Sequence, residues 1–286
     1  MRRISIVIAG LLLAFAGAAH AATLWQSGTY SYDGQGNIRA IGNDIFYYDS
    51  LGRLKYGDAG TNRKQEYTYD DYGNITSIRT DGGTTQIVAV DPATNQLKAT
   101  GGNFIGVYDA EGNLTTLHGT DTFTYERLGS VTRSTVGGTR KIHIYTASDE
   151  RVASITVSGT PQNPAVTRTE VTLRDTGARV IRRYATNGGL SATWSWEEDY
   201  VYRGGALLAA ELPSNQRRQF HPDHLGTPRL ITDHAGNTVA QHTYYPFGDE
   251  ATDPLQDTER LKFTGHERDA AGLDYMHARY YGPRVG

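Results

Sequence analysis

The sequence predicts an all-β protein built as a ribbon of consecutive antiparallel hairpins. Three observations carry that prediction: a short unit recurs along the chain, its internal spacing suits a strand–turn–strand reversal, and the composition favours strands and turns. Of 286 residues, 33 are Gly and 19 are Tyr, against only 7 Phe. The glycines fit frequent turns. The tyrosines fit half-buried strands whose rings pack while their hydroxyls reach water or a partner.

The N-terminus opens with Arg2 and Arg3, an apolar run from Ile4 to Ala18, and the small-residue site Ala19-His20-Ala21. This is the layout of a cleavable secretory signal, so residues 1–21 are expected to be a signal peptide. The run is shorter than the roughly 20 residues that span a bilayer, and no second apolar stretch follows. The expected location is therefore secreted, periplasmic or extracellular. There is no Cys, hence no disulfide framework and no lipoprotein cysteine. A net charge of -3 with scattered Lys and Arg argues against nucleic acid as a partner.

The recurring unit places an aromatic, an acid, two variable residues, Gly, a small or polar residue and an aliphatic in that order. It reads YDGQGNI from Tyr32, YDSLGRL from Tyr48, YDDYGNI from Tyr69, YDAEGNL from Tyr108 and YERLGSV from Tyr125, with a degenerate VDPATNQL from Val90. An acid three residues before Gly suits a type I turn in which the carboxylate accepts turn N–H groups and Gly closes the reversal at positive φ with a bulge. Aromatics two apart (Tyr30 and Tyr32, Phe46 and Tyr48, Tyr67 and Tyr69, Phe123 and Tyr125) share one strand face. The aliphatic that follows (Ile38, Leu54, Ile75, Leu114, Val131) begins the return strand. Successive hairpins of about 20 residues are expected to pair edge to edge. A β-propeller is the alternative fold, since two hairpins make about 40 residues, near one four-stranded blade.

Beyond residue 140 the repeats weaken but strand character persists. Val171–Tyr184 is expected to turn at Asp175-Thr176-Gly177, and Tyr200–Leu212 at Gly204-Gly205. Gly159–Pro164 (GTPQNP) is the expected exposed loop. At residue 220 the sequence becomes distinctive. It runs FHPDHLGTPRLITDHAGNTVAQHTYYPFGD from Phe220 and FTGHERDAAGLDYMHARYYGP from Phe263.

These segments resemble the repeat-associated core of RHS and YD-repeat proteins, a group that includes bacterial polymorphic toxins, C subunits of insecticidal toxin complexes and animal teneurins. The matching positions include Asp223, His224, Leu225, Gly226, Pro228, Arg229, Gly265, Glu267, Arg268, Asp269, Gly272, Leu273, Arg279, Tyr280 and Tyr281. The resemblance implies a spiralling antiparallel sheet that forms a shell, partial shell or barrel, which in toxin members encloses a C-terminal toxic domain. With the signal over 1–21, the expected segments are hairpin repeats over 22–212 and a repeat-associated core over 213–286. In several members the core also cuts its own chain with acidic residues. Here the sequence stops at Tyr281-Gly282-Pro283-Arg284-Val285-Gly286, short of the cleavage stretch, and Gly282 stands where Asp is frequent. The core is therefore expected to be truncated and without a toxin of its own.

Chemistry is sparsely signalled. Arg268 and Asp269 are the best acid–base candidates, since a guanidinium keeps a neighbouring Asp ionised, and a shared-proton mechanism would need a second carboxylate, of which Asp274 is nearest in sequence. His221-x-x-His224 sits among Pro222 and Gly226 in a turn rather than on a helix face, so neither metal nor cofactor is expected. No Gly-x-Ser-x-Gly elbow or phosphate loop occurs. The expected function is thus a non-enzymatic, secreted scaffold of toxin delivery or intercellular competition, whose partner is a toxin or a further chain of the same kind. The alternative is a surface adhesion module that binds carbohydrate through Trp194 and Trp196, read as sharing a strand face.

Overall fold

The structure, a computed structural model, describes residues 25–60, 63–269, 272–277 and 279–285. The expected signal peptide lies outside them. Within them the chain is all-β, with short 3-10 segments at Pro213–Asn215 and Phe263–Gly265. Seven strands from Tyr30–Tyr32 to Thr85–Ile87 form one sheet. Thirteen from Gly106–Tyr108 to Thr238–Gln241 form a second. In both, spatial order follows chain order, so strictly sequential neighbours replace the four-stranded blades of the propeller alternative.

The repeat dictates each reversal. At the third unit, Asp70 Oδ1 accepts the N–H groups of Tyr72 (3.0 Å) and Asn74 (2.9 Å), while Oδ2 accepts Asn74 Nδ2 at 2.8 Å. Gly73 closes the turn at φ 91°, a conformation that costs other L-residues about 1–2 kcal/mol. The ladder shifts register between Thr68 and Tyr69, the bulge expected of such a turn, and Ile75 begins the return strand Ile75–Thr80. Asp33, Asp49 and Asp109 repeat the arrangement, as do Asp175, Asp223 and Asp233 farther along.

The repeat tyrosines do more than pack. Tyr48 donates its hydroxyl hydrogen to the Ile38 carbonyl (2.9 Å), Tyr69 to Leu54, and Tyr125 to Leu114 (2.8 Å). In each case the acceptor is the aliphatic position of the preceding unit, so each ring fastens one hairpin to the one before it. Tyr145 extends the series to Val131 at 2.9 Å, although its turn uses Thr146 where the others have an acid.

Two expectations fail locally. The ribbon is not one sheet: it divides across residues 88–105, where the degenerate copy makes only the isolated bridge Val90↔Leu97. That copy carries an extra residue, Pro92 offers no N–H, and Asn95 rather than Gly takes positive φ (59°), so no ladder forms. Gly159–Pro164 is exposed but is not a loop. Gly159 pairs with Pro164 and Thr160 with Asn163, leaving a two-residue turn between the long strands Arg151–Thr160 and Asn163–Arg174. The turns at 175–177 and 204–205 form as expected, and the second sheet runs on from Ala206–Leu212 to Gln216–Pro222.

Candidate functional site

After the last strand of the second sheet, the chain folds back over both sheets. Pro246 packs on Gly57, where an added Cβ would lie 2.3 Å from Pro246 Cγ, and Phe247 meets the buried Tyr67 ring edge-on at 4.9 Å. Farther on, Glu267–Arg268, Asp274–Met276 and Arg279–Tyr281 make a small three-stranded sheet. Its side chains reach the second sheet through buried charges.

Glu267 is the centre of this contact. One carboxylate oxygen accepts from Arg183 at 2.6 Å and the other pairs with Arg174, with both Arg183 and Glu267 under 4 % exposed. Arg183 also reaches Glu198 (2.9 Å). Burial alone would push the Glu267 carboxyl up, but Arg183, Arg174, Arg151 and Arg260 outweigh it and hold the group well below the usual range. Asp269 accepts from Arg151 on both oxygens and from the Tyr280 hydroxyl at 2.7 Å. Its burial is likewise overcome, by Arg151, Arg260 and Lys141, so it too stays ionised. Arg260 completes the set through Glu170 at 2.9 Å.

The adjacent residues Arg268 and Asp269 are not partners. Consecutive strand residues point to opposite faces, and Arg268 instead grips Asp274 with Nε–Oδ1 at 2.6 Å and Nη2–Oδ2 at 2.8 Å, while donating to the Gly248 carbonyl. The guanidinium on Asp269 belongs to Arg151. Burial raises Asp274 more than Arg268 lowers it, so the two carboxyls are displaced in opposite directions, each held by its own guanidinium.

Most of the remaining motif residues make contacts within the chain. Asp223 caps its turn by accepting from Leu225 N and Thr227 N and pairs with Arg229 at 3.3 Å, with Gly226 at φ 83°. Leu225 stays half exposed and Pro228 is buried. His224 Nδ1 lies 2.8 Å from the Tyr30 hydroxyl, joining the start of the first sheet to the end of the second. Gly265 closes against the Gly226 carbonyl, and Gly272 takes φ 74° before Leu273, which enters a core with Phe123 and Val131. Tyr281 donates to the Phe247 carbonyl at 2.9 Å, and Arg279 is exposed. His221 turns to Thr232 rather than to His224. Among the described residues no three His, Asp or Glu converge as a metal set. Trp194 precedes its strand, which begins at Ser195, so it does not share a strand face with Trp196. Both indole N–H groups are used inside the chain, on the Leu190 carbonyl and Asp199.

Sequence reasoning missed Arg151, Arg174 and Arg183, and the isolated signal was slight. Arg183 alternates onto the buried face with Ala185, a charge where an apolar residue is expected, but its partner lies 84 positions away. A second buried group was also unforeseen: His242 Nδ1 lies 2.6 Å from Glu250 Oε1 and Nε2 3.3 Å from Asp257 Oδ2, with Lys262 Nζ 3.1 Å from Asp257 Oδ1.

This architecture, an all-β ribbon with a charged C-terminal segment laid across it, has a counterpart among solved structures. It superposes on part of the Photorhabdus luminescens Tc holotoxin pore, in a form bearing a TccC3 mutation, with a TM-score of 0.71 and 21% identity over 90% of this chain and 15% of that one. In sequence it is 30% identical over 230 residues, 77% of its length, to the tRNA3(Ser)-specific nuclease WapA of Bacillus spizizenii. It is 27% identical, over 92% of its length, to the double-stranded DNA deaminase toxin A of Burkholderia cenocepacia. The chain spans only 9% and 20% of these two relatives. No protein-family model matches it. No helix among the described residues is long and apolar enough to cross a membrane.

Proposed function

We propose that the chain is an RHS-type wall segment, a secreted non-enzymatic scaffold that belongs to a toxin-delivery or competition system and works with a toxin or a further chain of the same kind. The observation that carries this reading is the C-terminal segment. The core-motif residues Glu267, Asp269, Tyr280 and Tyr281 spend their polar atoms on fastening that segment to the sheets rather than presenting them to a substrate. Residues 22–212 then supply the hairpin wall and 213–286 the segment that locks it.

The two carboxyls that chemistry would need, Asp269 and Asp274, each have a dedicated guanidinium. That arrangement disfavours a proton shared between them and supports a scaffold over a self-cutting enzyme. The test is protection of cargo. A protease-sensitive reporter domain fused after Gly286 should survive trypsin treatment that destroys the same reporter on a Gly/Ser tail. Equal digestion of the two fusions would end the reading. Intact-mass spectrometry of the exported chain should give one species starting at Ala22, and any cut near residue 269 would overturn the non-enzymatic part.

A further inference from the structure

Between the two large sheets lies a cavity of about 560 Å³. The C-terminal segment closes a third side, with Tyr280 and Tyr281 in the lining, and the size of the cavity falls in the range of small-molecule sites, about 300–1,000 Å³. One wall is the core of the first sheet, with Ile75 and Val88, and the other is a core of the second, with Leu117 and Val131. Leu97, in the segment where the ribbon divides, packs against both cores.

The polar groups in this lining are mostly spent. The Tyr69 and Tyr125 hydroxyls donate to carbonyls of preceding hairpins. The main chain is paired as well: Val88 N donates to Thr76 O, Lys98 N to Ala89 O, Gly106 N to Lys98 O, and Leu97 N to the Tyr108 hydroxyl. A peptide strand would find little ladder to join here, and a sugar would find few free partners. An aliphatic chain needs neither.

One group stands apart. Arg279 is the only formally charged residue among those lining the cavity. It is exposed, it has no carboxylate within ion-pair distance among the described residues, and its charge acts on the neighbouring Tyr125 hydroxyl. We propose that this cavity binds a long-chain carboxylate, with its alkyl chain between the two cores and its head group on Arg279. A charge-assisted pair at the mouth sets the head-group preference, and burial of the methylenes supplies the affinity.

Displacement of a dansylated undecanoate probe from the full chain tests this, with dodecanoate and dodecanol as competitors. Dodecanoate should compete saturably. Arg279→Gln should weaken it by about tenfold or more, since a hydrogen bond to a charged group contributes at least the 1.4 kcal/mol that a decade requires, and should leave dodecanol unchanged. Leu114→Trp, which fills the cavity from a half-buried position, should abolish both. Absence of saturable probe binding would overturn the proposal, as would dodecanoate affinity unchanged in Arg279→Gln or in a Leu114→Trp chain that keeps its β circular dichroism. Because Arg279 is exposed, its variant tests the head-group contact even if the Trp variant does not fold.

Discussion

The hairpin wall and the segment that lies across it are stabilised by the same chemistry used at opposite ranges. In the turns of the wall, carboxylates act within five residues: Asp70 satisfies Tyr72 and Asn74 at the surface, in water. Where the C-terminal segment meets the second sheet, two of them act across 84 and 118 residues and out of water, Glu267 with Arg183 and Asp269 with Arg151. The difference teaches where the molecule is vulnerable. A surface turn carboxylate has solvent to fall back on when its partner is lost. A buried guanidinium does not.

Glu267→Gln is the sharpest way to probe this contrast. It leaves Arg174 and Arg183 buried against a neutral amide and should cost about 3–5 kcal/mol, read as a lowered urea midpoint. Stability indistinguishable from the parent would remove the distinction between the two regions.

Proton linkage separates the regions next. His143, in the wall, lies between Ser134 and Ser154 at 3.0 Å each, and burial together with Arg151 depresses it to about 3. As pH falls below about 6.5 the unfolded chain takes up this proton first, so stability declines until the native ring also protonates near pH 3. His242, in the crossing segment, shifts the other way: burial lowers it, but hydrogen bonds to Asp257 and Glu250 prevail and raise it. Its contribution is complete below about 6.5 and is lost as pH climbs through the higher native value. Urea midpoints from pH 5 to 9 should therefore lose an acid-side slope in His143→Gln and an alkaline-side slope in His242→Gln. His221 and His266, also depressed by burial, share the acid limb, so His143→Gln shallows it without abolishing it.

Smaller effects belong to the wall alone. Tyr69→Phe deletes the hydroxyl that reaches Leu54 and should cost about 1–1.5 kcal/mol by urea denaturation. Gly73→Ala meets no atom within 4 Å of its new Cβ, so only the positive φ opposes it. About 1 kcal/mol is expected, with Gly73→Asn milder. A larger loss at Gly73 than at Tyr69 would reverse the ranking of turn against fastening.

The same division explains what could be read from sequence. The turns were legible because their logic is local: acid, Gly and aliphatic lie within six residues, and the strands begin at Ile38, Leu54, Ile75, Leu114 and Val131 as that spacing requires. The division across residues 88–105 was not, because it depends on how one additional residue in VDPATNQL offsets a ladder. The pairing of Arg151 with Asp269 was hidden for a different reason. Charge complementarity names no distance along a chain, and the adjacent Arg268 offered a plausible but geometrically wrong partner for Asp269.

The tyrosine bonds carry one further consequence. Because each phenol clasps only the hairpin just before it, a whole unit can be inserted into or deleted from the ribbon and every surviving clasp still finds its mate. Ribbon length is thereby open to change by duplication, as in a zip with interchangeable teeth. The strands that face Glu267 and Asp269 enjoy no such licence, since their order is pinned by contacts that skip many units at once.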